Sequence, residues 1–128
     1  MAEPSVRQRR VADLIARELS LILQQRARDP RLSKVVITGV RVSGDLRQAT
    51  VFVSSVVPED RQAIVEALSG SEAFLRRELA ERAYLKYVPT LTFRLDETYD
   101  RASRIESLLD EVIAELPEEE DQEAGDVE

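Results

Sequence analysis

Apolar residues at Val11, Leu14, Ile15, Leu19, Ile22 and Leu23 recur at the spacing of one helical face, and Ser5 with Gln8 three positions later has the form of a capping box. The pattern predicts a first helix from about Val6 to Arg26. The segment RDPRLS ends it, because Pro30 disfavours helical geometry at Asp29. The period then changes to alternation. KVVITGVRVS and RQATVFVSSVV are rich in β-branched residues, and the intervening SGDL carries Gly and Asp suited to a turn, so the two form a hairpin. In the second strand Ala49, Val51 and Val53 alternate with Thr50, Phe52 and Ser54, which predicts one face buried more fully than the other.

A second helix opens at PEDRQAIVEAL, with Pro58 near its start and Glu59 and Asp60 placed to complement the positive end of its dipole. Its apolar phase, set by Ile64 and Leu68, continues through Leu75 and Leu79 to about Ala83. Yet Ser69-Gly70-Ser71 stands in the middle and weakens a continuous helix by about 2 kcal/mol relative to Ala. Either the helix tolerates the flaw or it breaks there. VPTLTFRLDE predicts a third strand with Leu91, Phe93 and Leu95 on one face and Thr90, Thr92 and Arg94 on the other. YDRASRIESLLDEVIAEL predicts a last helix whose apolar stripe is Ala102, Ile105, Leu108, Leu109, Val112 and Ile113. The order helix, strand, strand, helix, break, helix, strand, helix predicts an α+β domain: a three-stranded sheet with helices packed on its buried face.

A chain of 128 residues has room for one core, here residues 6–116, after a flexible start at residues 1–5. The net charge of −7 is concentrated at the other end. PEEEDQEAGDVE, residues 117–128, holds seven acids, no base and almost nothing apolar, so it is expected to be a disordered tail. Residues 1–116 are neutral, with 18 bases and 18 acids, but the first 47 residues hold ten bases and five acids. Sixteen of the bases are Arg, whose planar fork suits phosphate. The absence of Cys and His excludes disulfides, thiolate nucleophiles, Ser-His triads and the common transition-metal sites. No enzyme, metal or cofactor is therefore expected. No stretch has the apolar length of a signal peptide or a membrane span, and the default is a cytoplasmic protein.

Gly70-Ser71-Glu72-Ala73 resembles the G-x-x-G loop with which KH domains clamp a nucleic-acid backbone between two helices. It departs from that pattern in two ways. Ala73 stands where a second Gly would permit close approach, and Glu72 would repel phosphate at the start of the following helix. A plain interhelical kink is the alternative.

The whole ordered chain, from about Val6 to Leu116, resembles the ribosome-binding factor A family. The likeness rests on RRVADLIARELSLIL, DPRL, VVITGVRVSGDLRQATVFVS, FLRREL and YVPTLTFRLDETYDRASRI in this order and spacing. The resemblance implies a KH-like fold with the first helix leading, in which an Ala-x-Gly kink between two helices replaces the usual loop. The matching residues are Ser71-Glu72-Ala73, without the Gly, and Gly70 one step earlier is the candidate to absorb the bend. It further implies binding, without catalysis, to the immature 30S ribosomal subunit and its 16S rRNA near the 5′ end and the decoding region. Late maturation and cold adaptation are the implied setting. The alternative is a protein-interaction module that docks another assembly factor such as a GTPase; a monomer is expected in either case.

Charge supplies the candidate contacts. Arg7, Arg10 and Arg17 on the first helix, Arg28, Arg31 and Lys34 in the connection, and Arg47 at the hairpin form one basic group. Arg76, Arg77, Arg82 and Lys86 form another beyond the break, diluted by Glu78 and Glu81. The competing reading for both is a solvated face with local ion pairs, such as Glu72 with Arg76. Asp96, Glu97 and Asp100 are compact enough for a magnesium site or an acid-base pair, but capping of the last helix and its dipole is the expected role. Tyr84, Tyr87 and Tyr99 are candidates either for base stacking or for core edges.

Overall fold

The computed structural model describes residues 3–25 and 29–115. Arg28 and the acidic tail at 117–128 lie outside the described residues.

Helix α1, Val6–Gln25, opens on the expected capping box: Ser5 N donates to Gln8 Oε1 at 2.8 Å and Gln8 N donates to Ser5 Oγ at 3.1 Å. The Gln8 amide also donates from Nε2 to the Val42 carbonyl at 2.9 Å, so the cap fastens the helix start to a strand end. Ile15, Leu19, Ile22 and Leu23 are its buried stripe. Pro30–Lys34 forms a short 3-10 turn capped by Asp29, whose carboxylate accepts from Arg31 N at 3.0 Å.

Strands β1, Val35–Val42, and β2, Gln48–Ser55, pair antiparallel, and β3, Thr90–Leu95, joins β2 in parallel, giving the order β1-β2-β3. A parallel neighbour requires a crossover. Here the crossover is α2, Arg61–Gly70, followed by α3, Glu72–Ala83. Val42, Ala49, Val51, Val53, Leu91 and Phe93 are buried on the inner face. There α1 packs on β1 and α3, while α2 packs on β2 and β3. The result is the expected KH-like α+β layer. In β1 the register shifts between Ile37 and Gly39, and the displaced Thr38 donates its hydroxyl to the Phe52 carbonyl and to the Asp96 carboxylate.

The helix does break, at Ser71. That residue adopts φ −103° and ψ 8°, between two helices that keep one apolar phase. The interruption is mild because hydrogen bonding continues through it: Ser71 N donates to the Ala67 and Leu68 carbonyls, and Leu75 N donates to the Ser71 carbonyl at 2.9 Å. Leu68 and Leu75, one on each side, are both fully buried. Gly70 does not use a glycine's freedom. It has no positive φ, and a Cβ built on it meets nothing within 4 Å. Gly70→Ala is therefore expected to raise stability by up to about 1 kcal/mol in a thermal or urea melt; a loss would mean the bend needs glycine after all.

A similar displacement occurs in the hairpin. The left-handed residue is Leu46, at φ 61°, and not Gly44. Leu46 packs half-buried against the core, which offsets the strain of that conformation.

Helix α4, Glu97–Ala114, belongs to a second compact unit that begins at Glu97. Its stripe residues Ile105, Leu108, Leu109, Val112 and Ile113 are each more than half exposed.

Candidate nucleic-acid interface

Two hydrogen bonds gather three segments at one end of the first unit. The Gln8 amide joins the start of α1 to the end of β1, and Thr90 N donates to the Arg47 carbonyl at 2.9 Å, which sets the entry to β3 beside the hairpin turn. The turn itself is tightly built. Ser43 N donates to the Gln48 carbonyl at 2.8 Å, and Asp45 Oδ1 accepts from the Ser43 hydroxyl at 2.7 Å and from Arg47 N at 3.0 Å. Arg47 is thus exposed on an ordered turn. Arg7 and Arg10 are exposed on the first turns of α1, whose first turn holds no acid to offset the positive end of the helix dipole, although Glu3, ahead of the helix, lies 3.8 Å from Arg9. Lys86 is exposed in the segment that leads to β3, and Arg17 and Arg77 are exposed on α1 and α3.

The other candidates are occupied. Arg31 Nη2 lies 2.7 Å from Asp29 Oδ2, with Arg31 Nε 3.1 Å from Oδ1, so the fork grips the carboxylate at two points. Lys34 Nζ lies 3.4 Å from Asp60. Arg82 approaches Glu18 of α1 at 4.0 Å. Arg76 pairs with Glu72 at 3.7 Å and donates from Nη2 to the Val88 carbonyl at 3.1 Å. Glu72 also accepts from Leu91 N at 2.9 Å, which explains an acid in a place unsuited to phosphate: it fastens β3 to the first turn of α3. Of the four residues at the break, Glu72 therefore braces the sheet, and Arg76 braces the loop before β3. Arg31 and Lys34 are also remote from Arg7 and Arg47, since the length of β1, roughly 25 Å, separates the two ends.

The Arg31 guanidinium, bonded to the Asp29 side chain, holds that carboxyl below the ordinary range, and the Ser43 hydroxyl and Arg47 amide do the same for Asp45. A depressed folded value means that each bond's contribution is complete above the unfolded value near pH 3.9 and is lost as pH falls through the folded one. An NMR titration is expected to place both midpoints below about 3.9; a midpoint at or above it would remove the bond in solution.

Two exposed cations on the sheet were not among the expected contacts. Arg41 and Arg94 are exposed on the outer face of the sheet, flanking Thr50, Thr92 and Phe52 across the strand register. Strand alternation carried the signal, since Arg94 shares a face with Thr92 and Arg41 falls between the inward Val40 and Val42. No acidic grouping able to hold a metal ion occurs among the described residues. No helix among them is long and apolar enough to cross a membrane.

Comparison with known proteins agrees on one family. A family model described as ribosome-binding factor A matches residues 7–109. A protein of that name from Coxiella burnetii (strain Dugway 5J108-111) is 42% identical over 109 residues, covering 85% of this chain and 92% of its own. The crystal structure of ribosome-binding factor A from Thermus thermophilus is similar with a TM-score of 0.61 at 28% identity, covering 69% of this chain and 94% of that one. The T. thermophilus factor as fitted into a cryo-electron microscopy map of a 30S complex is similar with a TM-score of 0.56 at 29% identity, over 65% of this chain and 88% of that one.

Proposed function

The chain belongs to the ribosome-binding factor A family, and from that premise we propose that it binds the immature 30S subunit through its 16S rRNA, by occupancy and without catalysis. One observation carries the reading at the level of residues. Arg7, Arg10 and Arg47 are exposed together at an end of the domain where the α1 dipole adds to their field and where no carboxylate among the described residues forms an ion pair with them. Family membership and the relative fitted into a 30S complex support the choice of partner. We further infer that this binding serves late maturation and 5′-end processing of the 16S precursor in the bacterial cytoplasm, and adaptation to cold. The seven acids of residues 117–128 then compete with RNA for the basic end.

Gradient sedimentation tests the reading. The chain is expected to comigrate with precursor small subunits in preference to mature ones, and to leave them as salt rises. With about four to six phosphate contacts the log-log slope is about −3 to −5. A chain ending at Leu116 is expected to bind more tightly at low salt; equal affinity removes the tail's part. Recovery apart from ribosomal particles at every growth temperature would end the reading.

The exposed apolar stripe of α4 favours a second reading, in which the chain docks another assembly factor such as a GTPase. A protein interface of ordinary size keeps most of its affinity at salt that strips an RNA binder, so the same titration separates the two.

A further inference from the structure

The segment between α3 and β3 shows two aromatic rings to solvent, Tyr84 at 91% exposure and Tyr87 at 76%. Its backbone is nevertheless well fastened. Leu85 and Val88 pack against the core, Pro89 is fully buried, Arg76 donates to the Val88 carbonyl at 3.1 Å, and Thr90 N donates to the Arg47 carbonyl at 2.9 Å. The rings are therefore held out by a rigid support.

Tyr84 closes α3 in the left-handed conformation, φ 53° and ψ 33°. At such a helix end Gly is the least strained residue, and a side chain with a Cβ stores strain. Leu46, the other non-glycine residue with positive φ, is compensated by half-burial against the core. Tyr84 has no such return, because its ring is almost wholly in water. Strain that the fold does not recover points to a use outside the fold. Beside it, Lys86 Nζ lies 5.8 Å from the centroid of the Tyr87 ring, so a cation and an aromatic face are presented together. Across the Thr90 to Arg47 hydrogen bond stands the exposed Arg47.

We propose that Tyr84 and Tyr87 are a stacking platform for unpaired bases of single-stranded RNA, with Lys86 and Arg47 holding the phosphates alongside. The proposal rests on the RNA reading above and deepens it by naming the class of RNA. Bases in a duplex stack on each other and offer no free face, whereas every unpaired base has one, so the site discriminates by strandedness more than by sequence.

The chain has three Tyr and no Trp, so its intrinsic fluorescence comes from these two rings and Tyr99, and quenching that is lost in the Tyr84 and Tyr87 variants belongs to the platform. The full chain is titrated with an unstructured RNA of roughly twelve nucleotides and with a hairpin duplex of the same composition. Single-stranded RNA is expected to quench tyrosine emission and to bind more tightly than the duplex. Tyr84→Asn and Tyr87→Ser are each expected to weaken single-strand binding by roughly five- to 150-fold, with duplex affinity unchanged. Tyr87→Phe, which keeps the ring, retains affinity. Asn accepts the left-handed conformation, so Tyr84→Asn melts no lower than the parent.

If the parent chain binds single-stranded RNA and the double variant Tyr84→Asn/Tyr87→Ser binds it equally well, the stacking platform is overturned while the RNA reading stands. An equal loss on both RNAs also overturns it, because that marks a general electrostatic or folding effect. If the parent binds neither RNA, the RNA reading falls and the platform with it, and a protein partner becomes the occupant of this surface.

Discussion

Replacing Arg7, Arg10 and Arg47 together by Glu is expected to weaken binding to precursor small-subunit RNA by at least about 100-fold at physiological salt and to cut the magnitude of the log-log salt slope by about 2.4. The magnitude follows from counterion release. At a slope of about −0.8 per phosphate, one contact is worth about a factor of five between 1 M and 0.15 M salt, and three contacts multiply to about 100. Glu in place of Arg adds repulsion. The control is Arg31→Ala with Lys34→Ala, for which a change below about threefold is expected, because Asp29 and Asp60 already occupy those cations. The measurement is affinity across a salt series, with circular dichroism confirming the fold. If the control pair proves as damaging as the reversal, the interface lies at the opposite end of β1.

Truncating Leu75 to Ala is expected to cost about 2–5 kcal/mol, because its fully buried side chain sits one turn past the break, where a cavity cannot easily close. For a domain of this size each kcal/mol lowers the thermal midpoint by about 4–8 °C, so a drop of at least about 8 °C is expected. Leu108→Ala in α4 is the instructive partner. Leu108 occupies an apolar stripe of the same helical spacing but is more than half exposed, and a change within about 0.5 kcal/mol is expected. Equal destabilisation by the two would mean that the α4 stripe is buried in solution.

Much of the fold was legible because hydrophobic period is a local consequence of backbone geometry. The α1 stripe, the alternation in β3 and in β2 as far as Val53, and the Ser5 and Gln8 cap reappear at the anticipated positions, whereas Ser54, expected on the less buried face of β2, is buried as well. The break was legible as a weakness, but its location at Ser71 and the indifference of Gly70 were not. Which residue of a triplet bends depends on where the two helices must lie against the sheet and α1. Leu46 taking the left-handed position in place of Gly44 has the same origin, since packing against the core outweighs local preference.

Sequence alone determined the elements, the mixed layer they build, the exclusion of thiol and imidazole chemistry, and the basic bias of the first third of the chain. Only tertiary structure decided which of those bases remain available. Lys34 meets Asp60, Arg82 meets Glu18 and Glu72 meets the Leu91 amide across separations of many residues, which no local pattern encodes. Period is written by neighbours three or four positions apart, whereas a charge is cancelled by whatever the fold sets beside it. A count of arginines could therefore suggest a polyanion partner, while which of them the fold pairs with an acid emerged only from the three-dimensional structure.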